Sequence, residues 1–214
     1  EPLPIWCYLI DPPEGLILID PGIPADANKP VWLPPHMRLV QRAAPFQING
    51  RDEEIGPQLE AIGHSPDDVR WVVLTHLHQD HEGGLHHFPN ATFIVSQAER
   101  HAAAGFAGRM GGYLNKRWPA DFAPQTITFD EPDPIFDGRT TLTQAGDVYL
   151  VPTPGHSPGH LSVVLEDNDH TIFFAGDASY PQDLLLADAL DGVSQDAEAV
   201  HRTHRQIIDF ASTR

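Results

Sequence analysis

The chain has 214 residues, enough for one domain with a sizeable buried core. Its 13 Lys plus Arg against 30 Asp plus Glu give a formal charge of −17 at pH 7, a balance that disfavours nucleic acid and anionic membranes as partners. Cys7 is the only cysteine, which excludes an intrachain disulfide and a cysteine-rich zinc finger, and no apolar run approaches the ~20 residues needed to span a bilayer.

Residue 1 leads almost directly into an apolar, strand-like run, Ile5 to Ile10, without a basic-then-apolar leader. A cytoplasmic location is therefore the default expectation, and a trimmed N terminus would leave secretion open. Cys7 sits inside that run and reads as an inert, buried thiol. A second run, Leu16 to Asp20, comes after Asp11-Pro12-Pro13-Glu14-Gly15 and is ended by Asp20-Pro21-Gly22, so the two runs predict a hairpin. Residues 24–50 carry five prolines and read as a loop that covers something. Glu53 to Ile62 is a short helix with Ile55, Leu59 and Ile62 on one face. Ser65 caps a helical turn that has Pro66 in first position.

Trp71 to Thr75 is a buried strand, and the residues directly after it lie at its C-terminal end, where α/β sheets place binding groups. Thr92 to Val95, Val148 to Val151, Leu161 to Leu165 and Thr171 to Ala175 read as further strands. Gln97 to Ala104 and Asp196 to Phe210 read as helices, the latter with Val200, Ile207 and Phe210 as its apolar stripe. Residues 105–139 read as irregular. The alternation suggests sheets with helices packed outside them, in a single domain over residues 1–214.

His76-Leu77-His78-Gln79-Asp80-His81 directly succeeds the central buried strand and precedes Gly83-Gly84. Four metal-ligand residue types in six positions, on a short loop at a strand end, can converge on one or two ions. His156, on the Pro154-Gly155-His156-Ser157-Pro158-Gly159-His160 turn, and Asp177, after the strand ending at Ala175, add an imidazole and a carboxylate at two more strand ends. The bland alternative is a solvated, histidine-rich turn, and three strand ends carrying ligand types weigh against it.

The order of the His76–His81 motif, His156 and Asp177 resembles the metallo-β-lactamase superfamily, and Asp20-Pro21-Gly22 resembles its early Asp-Thr-Gly turn, with Pro21 as a departure. The resemblance implies an α/β fold of the metallo-β-lactamase type, an αββα sandwich with metals at one edge of two sheets. A narrower resemblance, through Leu3 to Ile10, Gly155 to His160 and Asp177-Ala178-Ser179-Tyr180, is to the N-acyl-homoserine lactonases. It implies His76, His78 and His156 on one divalent ion, zinc by preference, with Asp80 and His81 on a second and Asp177 bridging both. It also implies that Tyr180 faces the substrate carbonyl and that Asp80 passes a proton to the leaving group. The family expects one more histidine late in the chain, and residues 1–214 do not supply it. Either the C-terminal end is cut short or the second ion has fewer ligands, with His201 and His204 as weak stand-ins. Gln79 stands where these lactonases often carry an aromatic residue, a departure that bears on acyl-chain preference.

These assignments imply lactone hydrolysis by a hydroxide shared between two ions. Alternatives on the same ligands are a glyoxalase-II-type thioesterase, another ester or phosphotriester hydrolase, or a zinc-binding protein without catalysis. His86 and His87 read as exposed or packing residues, His160 as a turn or supporting residue, and His36, His64, His101 and His170 as surface histidines.

Overall fold

The computed structural model describes residues 4–27, 29 and 48–214. Most of the proline-rich stretch read as a covering loop, with His36, lies outside the described residues, as does Leu3. The described residues group into two compact units, one drawn from Glu1–Ile94 and Ala103–Gln125, the other from Val95–Ala102 and Thr126–Arg214.

The first unit is built on a sheet of strand order β1-β2-β3-β4-β5. β1 (Tyr8–Ile10) and β2 (Leu16–Ile19) form the expected antiparallel hairpin, pairing Tyr8 with Ile19. β3 (Val69–Val73) lies parallel to β2, and β4 (Thr92–Ser96) parallel to β3. All four residues of β2 are buried, as Leu-Ile-Leu-Ile requires of a strand with neighbours on both sides and both faces covered. β5 (Gln125–Ile127) emerges from the stretch read as irregular. Helix α1 (Ile55–Ala61) buries Ile55 and Leu59. Ile62, expected on that face, instead terminates the helix and is 65% exposed. The turn at Pro66–Asp68 is capped as expected: Ser65 Oγ accepts the Asp67 N–H at 3.2 Å. The short helix α2 (Gln79–Glu82) starts within the histidine motif, with His78 as its N-cap residue.

In the second unit, α3 (Gln97–Ala102) comes directly after β4. An antiparallel meander then runs β6 (Thr140–Thr141), β7 (Val148–Pro152), β8 (Leu161–Asp167) and β9 (His170–Phe174). Its register places Leu150 opposite Val163, and Val163 opposite Phe174. The first unit also holds α4 (Gly105–Met110), a short helix not anticipated from its glycine-rich sequence. In the second, α5 (Gln182–Leu186) precedes α6 (Ala197–Ser212).

Helix α6 is the predicted terminal helix. Asp196 caps it by accepting the Ala199 N–H at 3.0 Å, satisfying one of the donors that a helix start leaves without a partner. Val200, Ile207 and Phe210 are buried as the periodicity requires. Ile207 and Phe210 join Phe136, Tyr149, Val151, Val164 and Ala178 in one apolar cluster, which anchors the helix on the meander. Among the described residues, no helix is long and apolar enough to cross a membrane.

Candidate metal centre

In the first unit the histidine motif leaves β3 through Leu74 and Thr75 and turns at once into α2. That geometry gathers His76, His78 and His81. The His76 ring centroid lies 4.6 Å from that of His78 and 4.2 Å from that of His81. A donor nitrogen of His76 falls within 4.8 Å of one on each of the other two. His76 and His81 are buried, and Asp80 Oδ2 stands 3.7 Å from His81 Nε2.

Asp20 organises this cluster. It sits immediately after β2 at φ +53°, in the left-handed region that Asp tolerates better than most residues. Its Oδ1 accepts the Thr75 N–H at 2.8 Å, and its Oδ2 accepts the Thr75 hydroxyl at 2.7 Å and lies 2.7 Å from His81 Nδ1. With the Thr75 hydroxyl proton given to Asp20, Thr75 Oγ1 is left to accept from His76 Nδ1 at 3.1 Å. The network therefore assigns the proton of both imidazoles to Nδ1 and the lone pair to Nε2. A carboxylate holding a histidine this way is the usual support of a metal ligand, because it fixes the tautomer and raises the basicity of the other nitrogen. The donor set thus fits a divalent ion.

The second unit holds the other predicted residues. His156 Nε2 lies 3.5 Å from Asp177 Oδ2, and the Tyr180 hydroxyl donates to that same oxygen at 2.8 Å. Two buried networks set these side chains. Ser157 Oγ and the Gly159 N–H, in the turn that presents His156, both donate to Glu99 Oε2, at 2.7 and 3.1 Å. Ser96 Oγ donates to the Gly159 carbonyl at 2.6 Å. A Cβ at Gly159 would collide with the Glu99 backbone nitrogen, so only glycine lets the turn sit this close to α3.

The second network fixes Asp177. Its N–H donates to His160 Nε2 at 3.0 Å, which makes Nε2 the acceptor and puts the His160 proton on Nδ1, toward Thr153 Oγ1 at 2.9 Å. Thr153 then donates to Ser162 Oγ at 2.8 Å, and Ser162 to the Ala175 carbonyl at 3.1 Å. His160 is the supporting residue expected of it, engaged through both ring nitrogens.

The structure thus brings His76, His78, Asp80 and His81 together in one unit, and His156, Asp177 and Tyr180 together in the other. Groups of the kind that hold metal ions are present in each. His201 and His204 are committed elsewhere, both to Asp188, at 2.8 and 3.2 Å. His86 and His87, read as exposed or packing residues, are exposed and partly buried respectively, and both face Glu54, at 3.5 and 2.8 Å. Cys7 is half-buried, and burial, with the nearby Asp20 charge, pushes its thiol up to about 12, so it stays protonated and unreactive. The positioning roles of Asp20 and Glu99 were missed by sequence reasoning. Asp20 left a faint signal in the Asp-Pro-Gly turn, and Glu99 left none.

A family model described as the metallo-beta-lactamase superfamily matches residues 1–210. The chain belongs to that superfamily. Its relatives include the N-acyl homoserine lactonase of Bacillus cereus, 30% identical over 182 residues, or 85% of this chain and 66% of that protein. Another is the N-acyl homoserine lactonase AttM of Agrobacterium fabrum (strain C58 / ATCC 33970), 35% identical over 195 residues, or 89% of this chain and 70% of that protein. The chain thus spans about two thirds of the length of these curated relatives. A solved N-acyl homoserine lactone hydrolase, with N-hexanoyl-L-homoserine bound at its catalytic metal centre, superposes with a TM-score of 0.75 at 26% identity, over 99% of this chain and 78% of the other. The metallo-β-lactamase fold expected from the motif order is therefore the fold of this chain.

Because Asp20 holds His81 and Thr75 together, Asp20→Ala is expected to weaken divalent-ion affinity by about 10–100-fold, the usual cost of losing an outer carboxylate. It also leaves the buried Thr75 N–H without its acceptor, a loss of about 1–3 kcal/mol in the metal-free protein. Zinc titration and thermal melts of the two proteins measure both effects.

Proposed function

We propose that this chain is a metal-dependent hydrolase that opens the lactone ring of N-acyl homoserine lactones, working as one domain over residues 1–214. In this reading His76, His78 and His156 would hold one divalent ion and Asp80 and His81 a second, with Asp177 shared between the two and zinc the preferred metal. When bound, such ions supply Lewis acidity and lower the pKa of a coordinated water toward ~7.

The chain's own residues do the rest. Tyr180 donates its hydroxyl proton toward the carbonyl oxygen of the substrate, where negative charge develops in the transition state. Asp80 takes up the proton lost by the attacking water and hands it to the departing alkoxide. Asp20 and His160 keep the ligands in one tautomer and one orientation, so that little reorganisation is left for the reaction itself.

The observation that carries this reading is Tyr180. It lies three residues beyond Asp177, donates to Asp177 Oδ2 at 2.8 Å, and is 42% exposed, so a substrate can reach its hydroxyl. The named relatives supply the substrate class. A small, uncharged lactone also suits a chain of charge −17 better than a polyanionic substrate does. Nucleic acid and membranes have no place in this reading.

Hydrolysis of a panel of acyl-homoserine lactones, thioesters and phosphotriesters by metal-reconstituted protein, monitored by pH-stat, tests the substrate class. Lactones are expected to lead. Thioesters or phosphotriesters leading would assign the centre to a different hydrolase of the superfamily.

A further inference from the structure

Three metal-ligand residue types outside the proposed centre meet in the first unit. Glu54 precedes α1, and His86 and His87 belong to the 3-10 turn Leu85–His87 just beyond α2. Glu54 Oε2 lies 2.8 Å from His87 Nε2 and 3.5 Å from His86 Nε2, and the two rings, tilted by 37°, have centroids 4.0 Å apart. The three donor atoms fall within 4.8 Å of one another. A tetrahedral ion with bonds of ~2.0–2.1 Å places neighbouring donor atoms about 3.3 Å apart, and the two measured separations bracket that value.

A single hydrogen-bonded Glu–His pair would account for His87 alone. It does not explain a second imidazole directed at the same carboxylate oxygen. The other oxygen, Oε1, is occupied by the Ala25 N–H at 2.9 Å, which orients the carboxylate from behind as an outer partner orients a metal ligand. Gly56 makes room for the His87 ring: a Cβ there would stand 2.5 Å from Nδ1.

Glu54 and His86 also line a cavity of about 400 Å³, shared with Asp26, Glu82, Arg51 and Arg117.

We propose that Glu54, His86 and His87 form a separate divalent-cation site, suited to zinc or a similar borderline ion, with water from the cavity completing the coordination. An ion there ties the 24–25 segment, the start of α1 and the turn after α2 to one point. It thereby braces the turn that comes after the helix carrying Asp80 and His81. The site is independent of the proposed dimetal centre and does not need lactonase activity to exist.

Chelator-stripped full chain is titrated with zinc against a competing indicator, for the parent, His86→Gln and Glu54→Gln. The His86 side chain is 52% exposed, so its replacement leaves the core intact even if Glu54→Gln folds poorly. The parent is expected to bind one equivalent more than His86→Gln, while the remaining equivalents keep their affinity. Equal stoichiometry and affinity in the parent and His86→Gln would overturn the site. Failure of the dimetal reading is distinguishable, because it shows as a deficit in the equivalents that His86→Gln leaves untouched.

Discussion

Asp177→Asn is expected to release both metal equivalents together and take lactone turnover to background. In the proposed assignment this carboxylate is the one ligand shared by two ions, so an amide, neutral and with a single acceptor oxygen, removes charge from both sites at once. The loss should exceed the ~10–100-fold that removal of an outer-shell partner costs. The fold should tolerate the change. The Asp177 N–H to His160 bond is made by the backbone, and the Tyr180 hydroxyl can still donate to the amide oxygen. Metal analysis after gel filtration, together with a circular dichroism spectrum matching the parent's, checks the prediction. Full metal content at parental turnover would remove Asp177 from the bridging position.

Tyr180→Phe should separate chemistry from binding. Its hydroxyl donates to Asp177 Oδ2 at 2.8 Å in this structure. A group held there is available to turn its proton toward a carbonyl oxygen once that oxygen carries charge. Removing such a donor costs mainly kcat, on the order of 10²-fold, or less at a site open to water. Metal content should stay at the parental level. If Tyr180 serves only to orient Asp177, metal affinity falls and kcat at saturating metal does not. Steady-state kinetics on an acyl-homoserine lactone, beside a zinc titration, distinguish the two results.

The proposed ligand residues stand out in the sequence because their chemistry is rare and their placement regular. His76, His156 and Asp177 each come within a few residues of the end of an apolar run, and a strand end is where a side chain can be presented without burying it in the sheet. Helix α6 was legible for a different reason, a 3.6-residue apolar stripe behind the Asp196 cap. The supports were not legible, because their partners are remote in the chain. Asp20 and His81 are 61 residues apart, Glu99 and Ser157 are 58, and Glu54 and His87 are 33. No local pattern records such pairings. Glu99 in particular reads as an ordinary surface glutamate of a short helix, yet it is fully buried under the His156 turn. The misplacement of Ile62 has a local cause: the helix ends at Ala61, and the next residue no longer shares its face. Strand β5 and helix α4 were hidden by glycines and prolines that break both periodicities.

The most direct measurement tracks proton release on ring opening of an N-acyl homoserine lactone by pH-stat, first with chelator-stripped protein and then after stepwise return of zinc. The account predicts no turnover above background in the stripped protein and recovery as the ions return, with loss on renewed chelation. Hydrolysis indifferent to metal, or a metal-replete protein that leaves the lactone intact, would contradict it.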